Sequence, residues 1–184
     1  AGARGAHGCR RDVREGGSGG TAFGYVRPEV GVHLAAQIDV RVSMDQPARD
    51  AAINGLGSVK VFAAAHAAGV RRVVNTSTGG AIYGATDVVP TPADVQANPI
   101  SAYGLSKLTA ERYALWFRRM RGLDVVTLRY GNVYGTRQDP HGDAGVIAIF
   151  CDRVLAGHRP IVYGDGRQTR DYVFVGDIVA ANLA

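Results

Sequence analysis

Tyr103 and Lys107 are the residues of this chain whose types and spacing point most directly to chemistry. They lie four positions apart at the start of a helical pattern, and residues i and i+4 share one helix face. A free tyrosine has a pKa of about 10 and is a poor base at neutral pH, but a nearby lysine cation favours the phenolate. The pair predicts a tyrosine general base, although an ordinary surface Tyr and Lys would leave the same pattern.

The segments that must position this pair alternate between strand and helix patterns. Predicted strands cover 30–36, 71–77 and 125–129, and predicted helices cover 54–68, 101–120 and 144–156. Such alternation predicts an α/β fold with a doubly wound, Rossmann-like parallel sheet. The apolar run at 30–36 is typical of a buried strand. We expect Asp177 to cap a final helix, and 161–163 and 171–175 to flank a turn.

Composition excludes several classes of protein. The 184 residues are 46% hydrophobic and 20% charged, which is ordinary for one globular domain. No run of 18 apolar residues predicts a membrane span, and the two cysteines form no disulfide or metal pattern, so we expect a cytoplasmic protein without a metal site. The net charge is +5, but the arginines are scattered rather than gathered in a stripe. We therefore expect no nucleic-acid partner.

Two glycine patterns occur in the first 22 residues, GxxGxxG at 2–8 and GxGxxA at 17–22. A dinucleotide fingerprint works between a buried strand and a helix, whose N-terminus meets the pyrophosphate. No strand precedes Gly2 in this sequence, and residues 9–15 are too polar for a central strand. We expect neither pattern to be a fingerprint.

Six ordered motifs carry a family resemblance. They are HLAAQ at 33–37, NxxG at 54–57, STGGAIYG at 77–84, YGLSK at 103–107, LRYGNVYGTRQDP at 128–140 and GDGRQTRDYVFV at 164–175. Together they resemble the extended short-chain dehydrogenase/reductase family, the NAD-dependent epimerases and dehydratases, and within it the UDP-glucose 4-epimerases. The resemblance covers about 24–184.

The resemblance implies a role for each matching residue. Tyr103 takes the proton of the sugar 4-hydroxyl, Lys107 lowers the tyrosine pKa and binds the nicotinamide ribose, and Thr78, with Ser77 as the runner-up, bonds the reacting oxygen. Asn54 is equally well explained as a helix cap. The residues implied to bind NAD are Asp12, Val13, Leu34, Ala35, Ala36, Gln37, Asn54, Tyr103, Lys107 and Gly131. Those implied to bind the UDP-sugar are Thr78, Asn132 and Arg170.

The implied reaction is reversible oxidation and reduction at sugar C4, which interconverts UDP-glucose and UDP-galactose with NAD. Related dehydratases and UDP-glucuronate decarboxylases carry acidic residues where this chain has Gly79 and Gly80, which favours epimerisation. Alternatives are an epimerase of UDP-N-acetylhexosamines, a decarboxylase, a dTDP-glucose dehydratase, a nucleotide-sugar ketoreductase, or a non-catalytic dinucleotide-binding protein. The Tyr/Lys pair opposes the last of these.

The resemblance also implies that parts of the family's fold are missing. The first strand, its glycine fingerprint and much of the substrate domain have no counterpart, so we expect an internal fragment that is inactive alone and a homodimer at full length. The expected organisation is an irregular stretch at 1–23, a partial NAD-binding domain with the catalytic helix at 24–135, and the beginning of a substrate-binding part at 136–184.

Overall fold

A three-stranded parallel sheet forms the centre of the protein. The computed structural model describes residues 23–141 and 145–184, so Asp12, Val13 and both glycine patterns lie outside the described residues. The strands are β1 (Val30–His33), β2 (Arg72–Thr78) and β3 (Asp124–Tyr130), in the order β1-β2-β3. All pairs run parallel. The predicted α/β class with a parallel sheet is therefore confirmed.

Strand β1 differs from its prediction. It ends at His33, and the residues after it form a loop rather than the rest of a strand. Val30 and Val32 are 39% and 46% exposed, and only His33 is buried. The predicted parallel strand is confirmed at 30–33. Its extension to residue 36 is wrong, and so is its burial, because β1 pairs on one side only in the part of the chain described here.

The helical region before β2 begins earlier than predicted. It comprises α1 (Val40–Asp45), α2 (Pro47–Asp50), a π-helical segment (Ala51–Leu56) and α3 (Gly57–Ala67). Asp39 caps α1 by accepting the Arg41 N–H at 2.7 Å. Asn54 lies inside the π-helical segment, so it is not a helix cap. π-Helical turns are rare in proteins, but those that occur are often found at functional sites.

Helix α4 (Ala102–Arg121) carries the predicted catalytic pair, and its predicted bounds are confirmed to within one residue. Ser101 is the N-cap and accepts the Gly104 N–H at 3.1 Å. The helix ends at Gly122, which has the left-handed φ of +69° that glycine adopts without strain. These local signals place both ends of α4.

The hydrophobic core lies between the sheet and helices α3 and α4. Phe62 of α3 and Phe117 of α4 meet edge to face, with ring centroids 5.8 Å apart. The buried cluster consists of Phe62, Ala65, Val70, Val73, Ala114, Phe117, Leu123 and Val125. This packing holds both helices against one face of the sheet and so fixes where α4 points its first turns.

The remaining elements follow β3. They are β4 (Asn132–Tyr134), α5 (Val146–Leu155), β5 (Tyr172–Phe174) and α6 (Val175–Leu183), and β4 pairs in parallel with β5. Residues 161–163 form no strand. Asp177 is not the cap of α6, because Phe174 holds that position; Asp177 lies in the first turn, where the helix dipole favours a negative charge.

The described residues contain neither a membrane-spanning helix nor a metal-binding cluster. Among them, no helix combines the length and the apolar character needed to cross a membrane. Within the same part of the chain, no group of three or more His, Cys, Asp or Glu side chains is placed to hold a metal ion.

Candidate active site

Tyr103 and Lys107 lie in the first two turns of α4, next to the carboxyl end of β2. Tyr103 is half-buried, and Lys107 is only 4% exposed. The helix extends through both residues, which places their side chains on one face as the spacing predicts. A lysine buried to this degree is unusual and needs compensating partners.

Thr78 at the end of β2 reaches the phenol group. The Thr78 side chain lowers the pKa of Tyr103 as a hydrogen-bonding neighbour, whereas the Ser77 Oγ is buried without a hydrogen-bond partner among the described residues. Of the two hydroxyls considered from the sequence, Thr78 is therefore the one that acts on the phenol of Tyr103.

The pKa of Tyr103 is raised above 10, whereas the sequence pattern predicted a lowered value. Burial is the largest cause, because a phenolate loses its hydration inside the protein. The hydrogen bond from Thr78 acts in the opposite direction, and the negative charge of Asp50 adds to the rise. The expected lowering by Lys107 is wrong for the described residues, since desolvation exceeds the favourable contacts.

The pKa of Lys107 is lowered to about 8. Burial is the largest cause, and the carboxylates of Asp50 and Glu111 partly offset it by favouring the ammonium form. Lys107 therefore stays mainly protonated at neutral pH and loses its proton when the solution becomes mildly alkaline.

Asp50 is a central group of the site that the sequence analysis missed. It is completely buried at the end of α2. Its Oδ1 accepts hydrogen bonds from Gln37 Nε2 at 3.0 Å and Asn54 Nδ2 at 2.9 Å. The available signal was the four-residue spacing of Asp50, Asn54 and Ser58, which is a polar stripe at helical period.

The loop after β1 is tied to this helical region through Gln37 and Asn54. The Gln37 N–H donates to Asn54 Oδ1 at 2.9 Å, and Asn54 Nδ2 donates to the Gln37 carbonyl at 2.9 Å. The pair fixes the loop backbone, while Leu34 and Ala35 remain exposed and Ala36 half-buried. The structure thus gives Asn54 a positioning contact, and the cofactor role of these five residues stays a prediction.

His33 is a neutral histidine beneath the same region. Its pKa is lowered to about 4, first by burial and then by the positive charge of Lys107. His33 Nε2 lies 3.0 Å from Ser58 Oγ. Because the Ser58 hydroxyl donates to the Asn54 carbonyl at 2.6 Å, the Ser58 oxygen accepts from His33, which places the imidazole proton on Nε2.

Ser43 of α1 supports the first turn of α4 and was also missed. It is completely buried, its Oγ accepts the Tyr103 backbone N–H at 3.1 Å, and its hydroxyl donates to the Val40 carbonyl at 2.6 Å. No local pattern announces this contact, because the two residues are 60 positions apart.

Asn132 and Arg170 are the residues predicted to bind the UDP-sugar diphosphate, and Asn132 contacts the residue that follows Arg170. The Asn132 N–H donates to the Asp171 carbonyl at 2.7 Å, and a Cβ at Gly131 would lie 2.7 Å from Asp171 Oδ2. Glycine at 131 permits this close approach. Arg170 is exposed, and its guanidinium donates to the Thr169 carbonyl at 2.7 Å. The roles of Gly131, Asn132 and Arg170 stay predictions.

These features agree with comparisons to known proteins. Residues 2–184 match the NAD dependent epimerase/dehydratase family, so the chain belongs to that family. The match includes the amino-terminal stretch that the six motifs left uncovered.

Individual relatives are similar over most of this chain but extend well beyond it. The UDP-glucose 4-epimerase of Mycolicibacterium smegmatis is 50% identical over 155 residues, which are 84% of this chain and 50% of the relative. The Thermotoga maritima UDP-glucose 4-epimerase, solved with UDP-glucose, aligns with a TM-score of 0.90 and 45% identity, covering 94% of this chain and 56% of that one. The Thermus thermophilus UDP-glucose 4-epimerase complex with NAD aligns with a TM-score of 0.87 and 42% identity, covering 95% of this chain and 58% of that one. The chain thus spans about half the length of these relatives.

Proposed function

We propose that this chain is part of an NAD-dependent UDP-sugar 4-epimerase that interconverts UDP-glucose and UDP-galactose. The observation that carries the proposal is the placement of Tyr103 and the buried Lys107 on one face of α4, beside the carboxyl end of β2. This arrangement lies at the carboxyl end of a parallel sheet, where ligands bind in open α/β folds. Similar proteins whose structures contain UDP-glucose or NAD support the same assignment.

The residues around β1 fit a dinucleotide. The chain leaves β1 through Leu34, Ala35 and Ala36, whose apolar side chains are short or exposed, so the backbone at this strand end is approachable. Gln37 is held by Asn54, which keeps the loop in place. In the proposed enzyme, these residues and Lys107 would hold NAD, which would supply reversible hydride transfer at sugar C4.

In the proposed reaction, side chains of this protein would transfer the proton. Tyr103 would take the proton of the sugar 4-hydroxyl. The Thr78 hydroxyl would form a hydrogen bond to the same sugar oxygen. In the proposed reaction, the positive charge of Lys107 would favour the phenolate as the proton leaves, because an opposite charge nearby stabilises an anion. Burial acts the other way and raises the pKa of Tyr103. The proton returns to the sugar oxygen when the hydride returns to C4, so no net redox change occurs.

Gly79 favours epimerisation over elimination. Its N–H donates to the Tyr130 carbonyl at 2.7 Å, and a Cβ at this position would lie 3.2 Å from the same oxygen. An acidic side chain here would meet that carbonyl closely. The neighbouring Gly80 likewise offers no acid for elimination or decarboxylation chemistry.

Substrate binding is assigned to the end of β3 and the segment before β5. Asn132 and Arg170 would bind the diphosphate, and arginine suits this task because its planar fork pairs with phosphate oxygens. Residues 24–135 would then supply the cofactor and catalytic part, and residues 136–184 the beginning of the substrate part. A cytoplasmic location is proposed with this activity.

A homodimer of the full-length protein is proposed from the outer face of α3 and α4. Tyr113, Trp116 and Met120 are 45%, 43% and 67% exposed on this face, beside a cleft of about 370 Å³ next to Val59. Contiguous exposed apolar groups of this kind mark association surfaces. Light scattering on the full-length protein should give twice the monomer mass, and Trp116→Asp should reduce it.

The test of the proposed reaction is Tyr103→Phe in the full-length protein, assayed by conversion of UDP-galactose to UDP-glucose. The loss of the general base should reduce turnover by about 10²–10⁴-fold, with NAD binding retained. Tyr25→Phe removes the same hydroxyl from a side chain that is 90% exposed and should keep the wild-type rate. If the Tyr103 variant kept more than about a tenth of the rate, the base assignment would be wrong.

A panel of nucleotide sugars separates the alternatives. Conversion of UDP-N-acetylhexosamines at a higher kcat/KM than UDP-galactose would assign the chain to the N-acetylated sugars. Loss of water or carbon dioxide from the substrate would instead indicate a dehydratase or decarboxylase. Binding of NAD without turnover of any sugar in the panel would favour a non-catalytic protein.

A further inference from the structure

Asp50 has a buried carboxylate, and only one of its two oxygen atoms accepts hydrogen bonds from the described residues. The residue is 0% exposed, and its Oδ1 accepts from both Gln37 and Asn54. Its Oδ2 is buried and has no hydrogen-bond partner among the described residues. A buried charge in this state is costly unless an opposite charge compensates it. An opposite charge close to Asp50 would compensate this charge.

Among the described residues, Lys107 is the only buried lysine or arginine, and it lies on a helix that packs against α2. It is 4% exposed, and Asp50 is the largest of the influences that favour its charged form. The two residues belong to different elements, α2 and α4, which pack against each other. Each buried charge thus lies in the field of the other.

The other titratable groups that face Lys107 are already committed or uncharged. Glu111 forms a two-point ion pair with Arg129, at 2.9 Å from Nε to Oε1 and 2.7 Å from Nη2 to Oε2. His33 is neutral at physiological pH, because burial lowers its pKa to about 4. Tyr103 is protonated in the same range, since burial raises its pKa. Among the described residues around Lys107, Asp50 is therefore the anion that is not already in an ion pair.

We propose that Asp50 is a positioning residue of the active site, a buried counter-ion that keeps the Lys107 ammonium charged beside Tyr103. Gln37 and Asn54 hold the carboxylate through Oδ1 and leave Oδ2 as the negative pole of the cluster. The importance of this charge for catalysis rests on the proposed function, but the electrostatic pairing itself does not.

The sign of each interaction shows that Asp50 acts through the lysine. The carboxylate favours the ammonium of Lys107, whereas it opposes the phenolate of Tyr103 and raises the tyrosine pKa. A direct effect of Asp50 on the base would thus hinder proton removal. Its benefit is indirect, because a neutral Lys107 could offer the phenolate no positive charge at all.

The test measures the titration of Lys107 directly. Lys60 and Lys107 are the only lysines of the sequence, so ¹³C,¹⁵N-lysine labelling of the 184-residue chain gives two side-chain signals by NMR. The wild-type Lys107 midpoint should lie near the pKa of about 8. Asp50→Asn, which keeps the shape and removes the charge, should move that midpoint down by about one unit or more, the range for losing a close opposite charge.

Three comparison variants separate charge from structure. Asp124→Asn removes an equal charge at the amino end of β3, where Asp124 pairs with Arg72, and should leave the Lys107 midpoint in place. Asp50→Glu keeps the charge and should stay near the wild-type midpoint. If Asp50→Asn does not fold, Asp50→Ser, also neutral and smaller, gives the same comparison.

Two results would overturn the proposal. One is an Asp50→Asn midpoint equal to the wild-type value; the other is an Asp50→Glu midpoint as low as that of Asp50→Asn, which would show a loss of structure rather than of charge. Because the readout needs no substrate or turnover, a failed epimerase assay and a failed counter-ion test are distinguishable.

Discussion

Replacing His33 by glutamine should make the stability of the chain less sensitive to acid. His33 is neutral in the folded protein because burial, followed by the charge of Lys107, lowers its pKa from 6.5 to about 4. Glutamine cannot titrate, but it retains an N–H that can donate to Ser58. The substitution therefore removes the proton linkage and keeps the polar contact.

The sign and size of the effect follow from the two pKa values of His33. As pH falls below 6.5, the unfolded chain binds a proton that the folded chain refuses until about pH 4. Stability from this group is thus fully present above pH 6.5 and is lost as pH falls toward 4. At about 1.4 kcal/mol per pKa unit, the full loss is about 3 kcal/mol.

Urea denaturation between about pH 7 and pH 4 measures this loss, with the fluorescence of Trp116, the single tryptophan, as the probe. Wild type should lose about 3 kcal/mol more than His33→Gln across this interval. His66→Gln makes the same change at an exposed site on α3 and should retain the wild-type pH dependence. Parallel stability curves for wild type and His33→Gln would refute the reasoning, since they would show that His33 protonates equally in both states.

Further predictions concern how the elements around the site are held. Ser43→Ala should destabilise the chain by about 1–2 kcal/mol in urea, because the part-buried backbone N–H of Tyr103 in α4 loses its acceptor; an unchanged midpoint would contradict this contact. Gly104→Ala should destabilise by about 1–3 kcal/mol, since its Cβ would lie 2.5 Å from the Ala81 carbonyl oxygen. Gly24→Ala meets no atom within 4 Å and serves as the control, so equal losses would refute the clash. Asp39→Ala should cost about 1 kcal/mol by removing the cap of α1, and equal melting temperatures would exclude that role.

Local sequence signals determined helix α4 and the strands beside it. Ser101 and Gly122 mark the ends of the helix through a side-chain cap and a left-handed φ, both of which depend on one or two neighbouring residues. The apolar runs at β2 and β3 predicted parallel strands to within one residue at each end. The spacing of Tyr103 and Lys107 placed them on one helix face, because helical period is a local property.

Local signals failed where pairing and packing decide the outcome. The predicted strand at 30–36 ended at His33 and was half exposed, because burial of a strand depends on its neighbours on both sides. Asn54 was open to interpretation as a helix cap, but the helical region starts earlier, and its side chain instead ties down the loop at Gln37. Whether a residue caps a helix or lies inside it depends on whether the residues before it are also helical.

The tertiary structure alone decided the electrostatics of the site. Asp50 and Lys107 are far apart in sequence, and so are Ser43 and Tyr103, yet each pair interacts in the fold. The spacing of the Tyr/Lys pair predicted a lowered tyrosine pKa, whereas burial raises it. Sequence records which ionisable groups are present, but desolvation and the distance between charges set their pKa values, and both arise only when separate elements pack together.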